Sequence, residues 1–244
     1  MPDAIAYFAL RLILGMALML CLMPRRQVAS AFFRIMMLLL MGLAVVMALA
    51  GTGSSTMAVL LALAAFMGSV FWTLERRQSG TVALGLVLAL ALAAAGQVLL
   101  QQNVSGRSGW LAAASALASA GTLGAAMTGM LLGHRYLTAP GMPLEPLARM
   151  NNLLGVSALA RLALSAVALP MAWPDAGNAT LITWLALRWL AGIAGPLAVW
   201  FLVRKILLYR NTQSATGVLF VGVILVFIGE LSADLASQTL RVAL

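Results

Sequence analysis

Eight runs of about twenty mostly apolar residues, separated by short polar breaks, leave this chain few folds to choose from. They cover 4–23, 31–51, 56–74, 80–101, 110–134, 149–172, 178–202 and 214–238. At 1.5 Å per residue, such a run matches the ~30 Å hydrocarbon core of a bilayer. In lipid every backbone N–H and C=O must find a partner within its own segment, so each run is read as a helix. The breaks leave no room for a soluble domain. The longest polar interruption lying between two apolar runs is LLGHRYLTAPGMPLEPLARMNNL, residues 131–153, where Pro140, Pro143 and Pro146 are expected to stop any helix. The fold class that follows is an all-α integral membrane protein with eight transmembrane helices.

Composition agrees. Hydrophobic residues make up 63% of the chain and charged residues 9%, whereas a soluble domain carries roughly 25% charged residues. There are 15 Lys+Arg against 6 Asp+Glu, with Lys205 the single lysine. A formal net charge of +9 could suggest nucleic acid. The arginines, however, sit in short loops between apolar runs and form no basic stripe, so the expected partner is the lipid bilayer and not nucleic acid. The one cysteine, Cys21, lies inside the first run and reads as a small buried hydrophobe. The N-terminal MPDAIAYF has an acid at Asp3 and no basic region, unlike a cleavable signal or transit peptide. The first run is therefore expected to stay as a helix.

Orientation follows from the loops. Arg25 and Arg26, Arg76 and Arg77, Arg135 and Arg149, and Arg204, Lys205 and Arg210 fall in alternate loops. The intervening breaks hold no charge in GTGSS, only Arg107 in the next, and Asp175 without a base in PDAGNA; the tail carries Arg241. By the positive-inside rule the basic loops are cytoplasmic and both termini are outside. A bacterial cytoplasmic (inner) membrane is the expected location.

The chain also suggests a duplication. RRQSGTVALGLVLAL from Arg76 matches RNTQSATGVLFVGVIL from Arg210, with Gln78-Ser79 against Gln213-Ser214. A weaker match sets PRRQVASAFFRIMMLL from Pro24 against PGMPLEPLARMNNLL from Pro140, with Arg34 against Arg149. Both pair helices 1–4 with helices 5–8 in order, giving two parallel four-helix halves, 1–109 and 110–244. Chance similarity between Leu/Ala-rich helices is the alternative.

Charges within spans carry the most information, because each costs about 2.5–3.5 kcal/mol at a helix centre even on the lenient insertion scale. Arg11, Arg161, Arg188 and Glu230 qualify, with Asp234 one turn beyond Glu230 on the same face. Arg161 shares a stripe with Ser157 and Ser165, and Trp184 lies four residues from Arg188, the spacing of a cation–π pair. Internal pairing of Glu230 with Arg188 or Arg11, with Arg11 snorkelling to the nearby surface, is one reading. The other is functional: three arginines facing one or two carboxylates leave positive charge for an anionic partner, a lipid headgroup, a quinone oxygen or an acid of another subunit. His134 and Tyr136, flanking Arg135 at the end of helix 5, are a second candidate quinone site or an interfacial anchor. Gly121, Ala125, Gly129 and Gly133 lie four apart on helix 5 and predict close helix packing. One histidine cannot supply bis-histidine haem ligation. No zinc, nucleotide or Ser/His/Asp pattern is present, so no catalytic residue and no metal site is expected. Met16, Met19, Met36, Met37, Met41 and Met47 read as apolar filler.

Eight helices, outside termini, two four-helix halves and the Gly229-Glu230 pair of the last helix resemble the membrane-anchor subunits of the NrfD and dimethyl-sulfoxide-reductase types. The likeness covers the whole chain in topology and rests on no specific sequence motif. It implies a membrane subunit of a respiratory or photosynthetic electron-transfer complex with no redox cofactor of its own. Such a subunit would bind quinone or quinol and anchor a partner carrying haem or iron–sulfur. The alternatives are a small-anion transporter using the intramembrane arginines and a structural scaffold subunit.

Overall fold

A computed structural model describes residues 2–50, 55–101, 107–139, 141–172 and 179–240. The break at 51–54, Pro140, Asp175 and Arg241 lie outside them. The described residues form eight helices long and apolar enough to cross a membrane: α1 (Pro2–Leu22), α2 (Ser30–Ala50), α3 (Ser55–Thr73), α4 (Arg77–Gln101), α5 (Arg107–Thr138), α6 (Glu145–Ala172), α7, and α8 (Thr212–Leu240). The seventh is continuous but not uniform. It runs α-helical over Ala179–Leu187, π-helical over Arg188–Ala194 and α-helical again over Gly195–Leu208.

Two helix boundaries and one helix interior depart from the sequence reading, each for a local reason. Helix α5 runs on through His134 and Tyr136 to Thr138 because no proline interrupts it before Pro140. Pro146 does not stop a helix. It lies in the first turn of α6, where its missing N–H has no partner to lose. In α7, Pro196 cannot donate, and its ring crowds the preceding turn. The helix widens there, and Gly195 N–H reaches the Leu190 carbonyl five residues back.

Helices α1 and α5 are the interior pair: 61% and 67% of their apolar windows are buried, against 28–44% for the other six. Helix α1 packs on α2, α4 and α5, while α2 packs on α3 and α3 on α4. Helix α5 packs on α6 and α8, α6 on α7 and α7 on α8. Small residues set the α1–α5 distance. A Cβ at Gly15 would overlap the Ala120 carbonyl, and one at Gly124 would overlap the Gly15 backbone. The stripe expected on α5 lies beside this crossing and faces other helices. Gly121 faces Ser157 of α6, Gly129 faces Met150 of α6 and Leu219 of α8, and Gly133 faces Thr216 of α8. Ala125 is fully buried.

Two corners share one geometry. Between α3 and α4, Glu75 turns the chain at φ 56°; between α7 and α8, Arg210 does so at φ 55°. Each lies three residues before a Gln-Ser pair, Gln78-Ser79 or Gln213-Ser214. The same backbone bonds close both: Glu75 to Trp72 and Gly80 to Arg76 in one, Arg210 to Leu207 and Ala215 to Asn211 in the other.

The α1–α5 crossing gives a direct test. Gly15→Leu or Gly124→Leu is expected to cost at least the ~1–3 kcal/mol of ordinary overpacking, because backbone must move. Gly85→Leu, where an added Cβ meets nothing within 4 Å, is expected to stay within ~0.5 kcal/mol of the parent. Thermal midpoints of detergent-purified variants measure the difference.

Candidate functional site

Five helices send polar side chains to one level of the bundle. Ser115 and Ser119 on α5, Arg161 and Ser165 on α6, and Glu230 and Asp234 on α8 are each spaced four apart, so each pair shares a helix face. Arg11 comes from α1 and Arg188 from the π-helical turn of α7. At 1.5 Å per residue all eight sit roughly 10–20 Å from the bundle end where α1 begins and α8 ends, deep in the span.

Glu230 is the centre, 2% exposed. Its Oε1 accepts from Arg161 Nε at 2.9 Å and its Oε2 from Arg161 Nη2 at 2.8 Å. This is the forked geometry that suits a guanidinium and a carboxylate. Oε2 also accepts from Ser119 Oγ at 2.6 Å and from Arg11 Nη1 at 3.3 Å. Arg11 Nη1 donates to Ser119 Oγ at 2.9 Å, and its Nη2 to Asp234 Oδ2. Arg161 Nη1 donates to Ser115 Oγ. Two glycines let α7 reach this level, for a Cβ on Gly229 would overlap Gly192.

Arg188 stands apart. It is 2% exposed, and its Nη2 donates to Ser165 Oγ at 2.6 Å. That hydroxyl in turn donates to the Arg161 carbonyl at 2.7 Å. Among the described residues the ion pairs at this level are Arg11 with Glu230 and Asp234, and Arg161 with Glu230. None reaches Arg188. Three guanidiniums against two carboxylates leave one positive charge in excess, and Arg188 is the arginine without a carboxylate.

Several expectations meet a different arrangement. Arg11 does not snorkel; it turns inward, 4% exposed, with its guanidinium 4.6 Å from the Tyr7 ring centroid. Of the two partners expected for Glu230, Arg11 does pair with it and Arg188 does not; Arg161 is its other partner. Trp184 packs beside Leu181, Leu185 and Ala236, and the described cation–π contacts do not include it with Arg188. His134 and Tyr136 lie at the opposite end of α5, ~22 Å from Ser119 along the helix. His134 is exposed. Tyr136 is buried, and its hydroxyl donates to the Pro143 carbonyl, pinning the α5–α6 turn. The sequence reading missed Ser115 and Ser119. Their spacing of four in an Ala-rich helix was the available signal.

Beyond the cluster, towards the arginine-rich loops, the bundle is filled. Leu123, Ala126 and Leu132 of α5 and Met150 and Leu154 of α6 are all 0% exposed. No known protein family matches this chain, and neither does any curated protein or solved structure.

The cluster separates two kinds of arginine. Glu230→Gln removes the carboxylate that Arg161 and Arg11 share and is expected to cost about 3–5 kcal/mol, as for other broken buried pairs. Arg188→Met removes a buried charge that is in direct ion-pair contact with no carboxylate. It is expected to leave stability within ~1 kcal/mol of the parent or to raise it. Unfolding midpoints in a mild detergent distinguish the two.

Proposed function

We propose that this chain is a cofactor-free membrane subunit of an electron-transfer complex that binds a quinone head group at Arg188. The supporting observation is the state of that arginine, which is buried and held by one serine hydroxyl, with no carboxylate in direct ion-pair contact. A quinone carbonyl accepts N–H bonds, and the anion formed as it is reduced gains from an unneutralised positive charge in a dry site. The depth suits a ligand that arrives through the hydrocarbon. Arg161, Arg11 and Glu230 hold the surrounding helices in place, and Arg188 meets the ligand. Electrons would pass to or from a partner subunit carrying haem or iron–sulfur, as in the membrane anchors of the NrfD and dimethyl-sulfoxide-reductase types.

The same proposal takes the chain as two parallel four-helix halves, 1–109 and 110–244, derived by duplication. The congruent corners at Glu75 and Arg210 and the matching order of helix contacts support it. The arginine-rich corners would face the cytoplasm of a bacterial inner membrane, with both termini outside.

One observation favours a small-anion transporter instead: Arg188 is not neutralised by Glu230. The core between the cluster and the arginine-rich loops counts against it, since fully buried Leu123, Leu132, Met150 and Leu154 pack there and the buried polar groups among them, such as Thr128 and Asn151, are uncharged.

The test uses the purified chain in lipid nanodiscs with a short-chain quinone. Arg188→Met is expected to weaken quinone binding by about 10- to 100-fold, the worth of a charged hydrogen bond, with the unfolding midpoint retained. Unchanged binding would overturn the assignment. Anion flux into liposomes that Arg188→Met abolishes would put the transporter in its place.

A further inference from the structure

The outer face of α3 and α4 carries a groove of about 630 Å³. It is independent of the arginine cluster. Its floor is made by Ala64 and Ala83, small residues on facing sides of the seam, and Leu63 and Val82 stand beside it at 56% and 72% exposure. It begins at Phe71 and Ser79, next to the α3–α4 corner, and ends at Leu60 and Leu90. About eleven residues of each helix span it, or ~16 Å at 1.5 Å per residue. That is close to half of the ~30 Å hydrocarbon core, the depth of one leaflet.

The corner at the mouth of the groove is strongly basic. Arg76 and Arg77 are both exposed. Arg77 Nη1 donates to the Arg25 carbonyl at 3.4 Å, which brings the α1–α2 loop, with Arg25 and Arg26, alongside. Glu75 is the acid within this corner. An apolar slot one leaflet deep, ending next to a corner with exposed Arg76 and Arg77, matches the two parts of one molecule.

We propose that this groove is a binding site for an anionic phospholipid. One acyl chain lies over Ala64 and Ala83, and the phosphate is held by Arg76 and Arg77. The basic corner selects against zwitterionic lipids, whose headgroups carry a compensating cation.

The experiment compares phosphatidylglycerol with phosphatidylcholine on the full chain, by native mass spectrometry of retained lipid after mild detergent extraction. The parent protein is expected to retain phosphatidylglycerol at one per chain, at least tenfold over phosphatidylcholine. The exposed pair R76Q/R77Q is expected to lose that preference. R204Q/K205Q removes the same charge from the α7 end, away from the groove, and is expected to keep it. Ala64→Leu, which fills the floor, is expected to lose the lipid while its unfolding midpoint in lipid-free detergent is held. Equal retention of both lipids by the parent would overturn the proposal. So would equal loss in the two double variants, which would mean diffuse attraction. Crosslinking of Val82→Cys to a transmembrane helix of another protein, with no lipid retained, would assign the groove to that partner instead.

Discussion

The Glu230 carboxylate, held by the fork of Arg161 and by Arg11, is the interaction on which the rest of this bundle depends. An unpaired carboxylate or guanidinium at this depth is costly. Brought together, and with Ser115 and Ser119 filling the remaining hydrogen-bonding positions, they become tolerable. The cost of separating them then holds α1, α5, α6 and α8 at one register. Arg11 is the member from the first four helices. Its bonds to Ser119, Glu230 and Asp234 fasten α1 to α5 and α8 at the level where Gly15 and Gly124 allow the backbones to touch.

The bundle divides its work along its length. On the side of the arginine-rich loops, small residues of α5 bring α6 and α8 close, and Leu and Met, with a few uncharged polar residues such as Thr128 and Asn151, fill what is left. At the level of the cluster, hydroxyls and charges replace that filling. The π-helical turn lies at this boundary. It is forced by Pro196, accommodated by Gly192 against Gly229, and it carries Arg188 on its first residue. A helix without the bulge would present a different residue to Ser165.

Much of this was legible in the sequence, because hydrophobic length is a local property. All eight helices fall where runs of about twenty apolar residues place them, and Arg11, Arg161, Arg188 and Glu230 stand out because charge in such a run is rare. What was not legible depends on neighbours. Arg11 looked able to reach the surface; that α1 is an interior helix, with Glu230 and Asp234 beside it, is set by packing. The choice of Arg161 over Arg188 as the partner of Glu230 depends on relative depth and rotation of α6, α7 and α8, which no single run encodes. Pro146 reads as a stop in the sequence because proline ends helices more visibly than it begins them. Ser115 and Ser119 were overlooked because serine in a transmembrane run is common, and only a charge across the helix gives it a role.

The measurement that tests this account most directly is an electron cryo-microscopy map of the chain in lipid nanodiscs loaded with quinone. The expected result is Arg161 forked on Glu230, with ligand density against the Arg188 guanidinium. Arg188 in a close pair with Glu230 or Asp234, and no ligand density beside it, would contradict the account and leave the cluster a purely structural device.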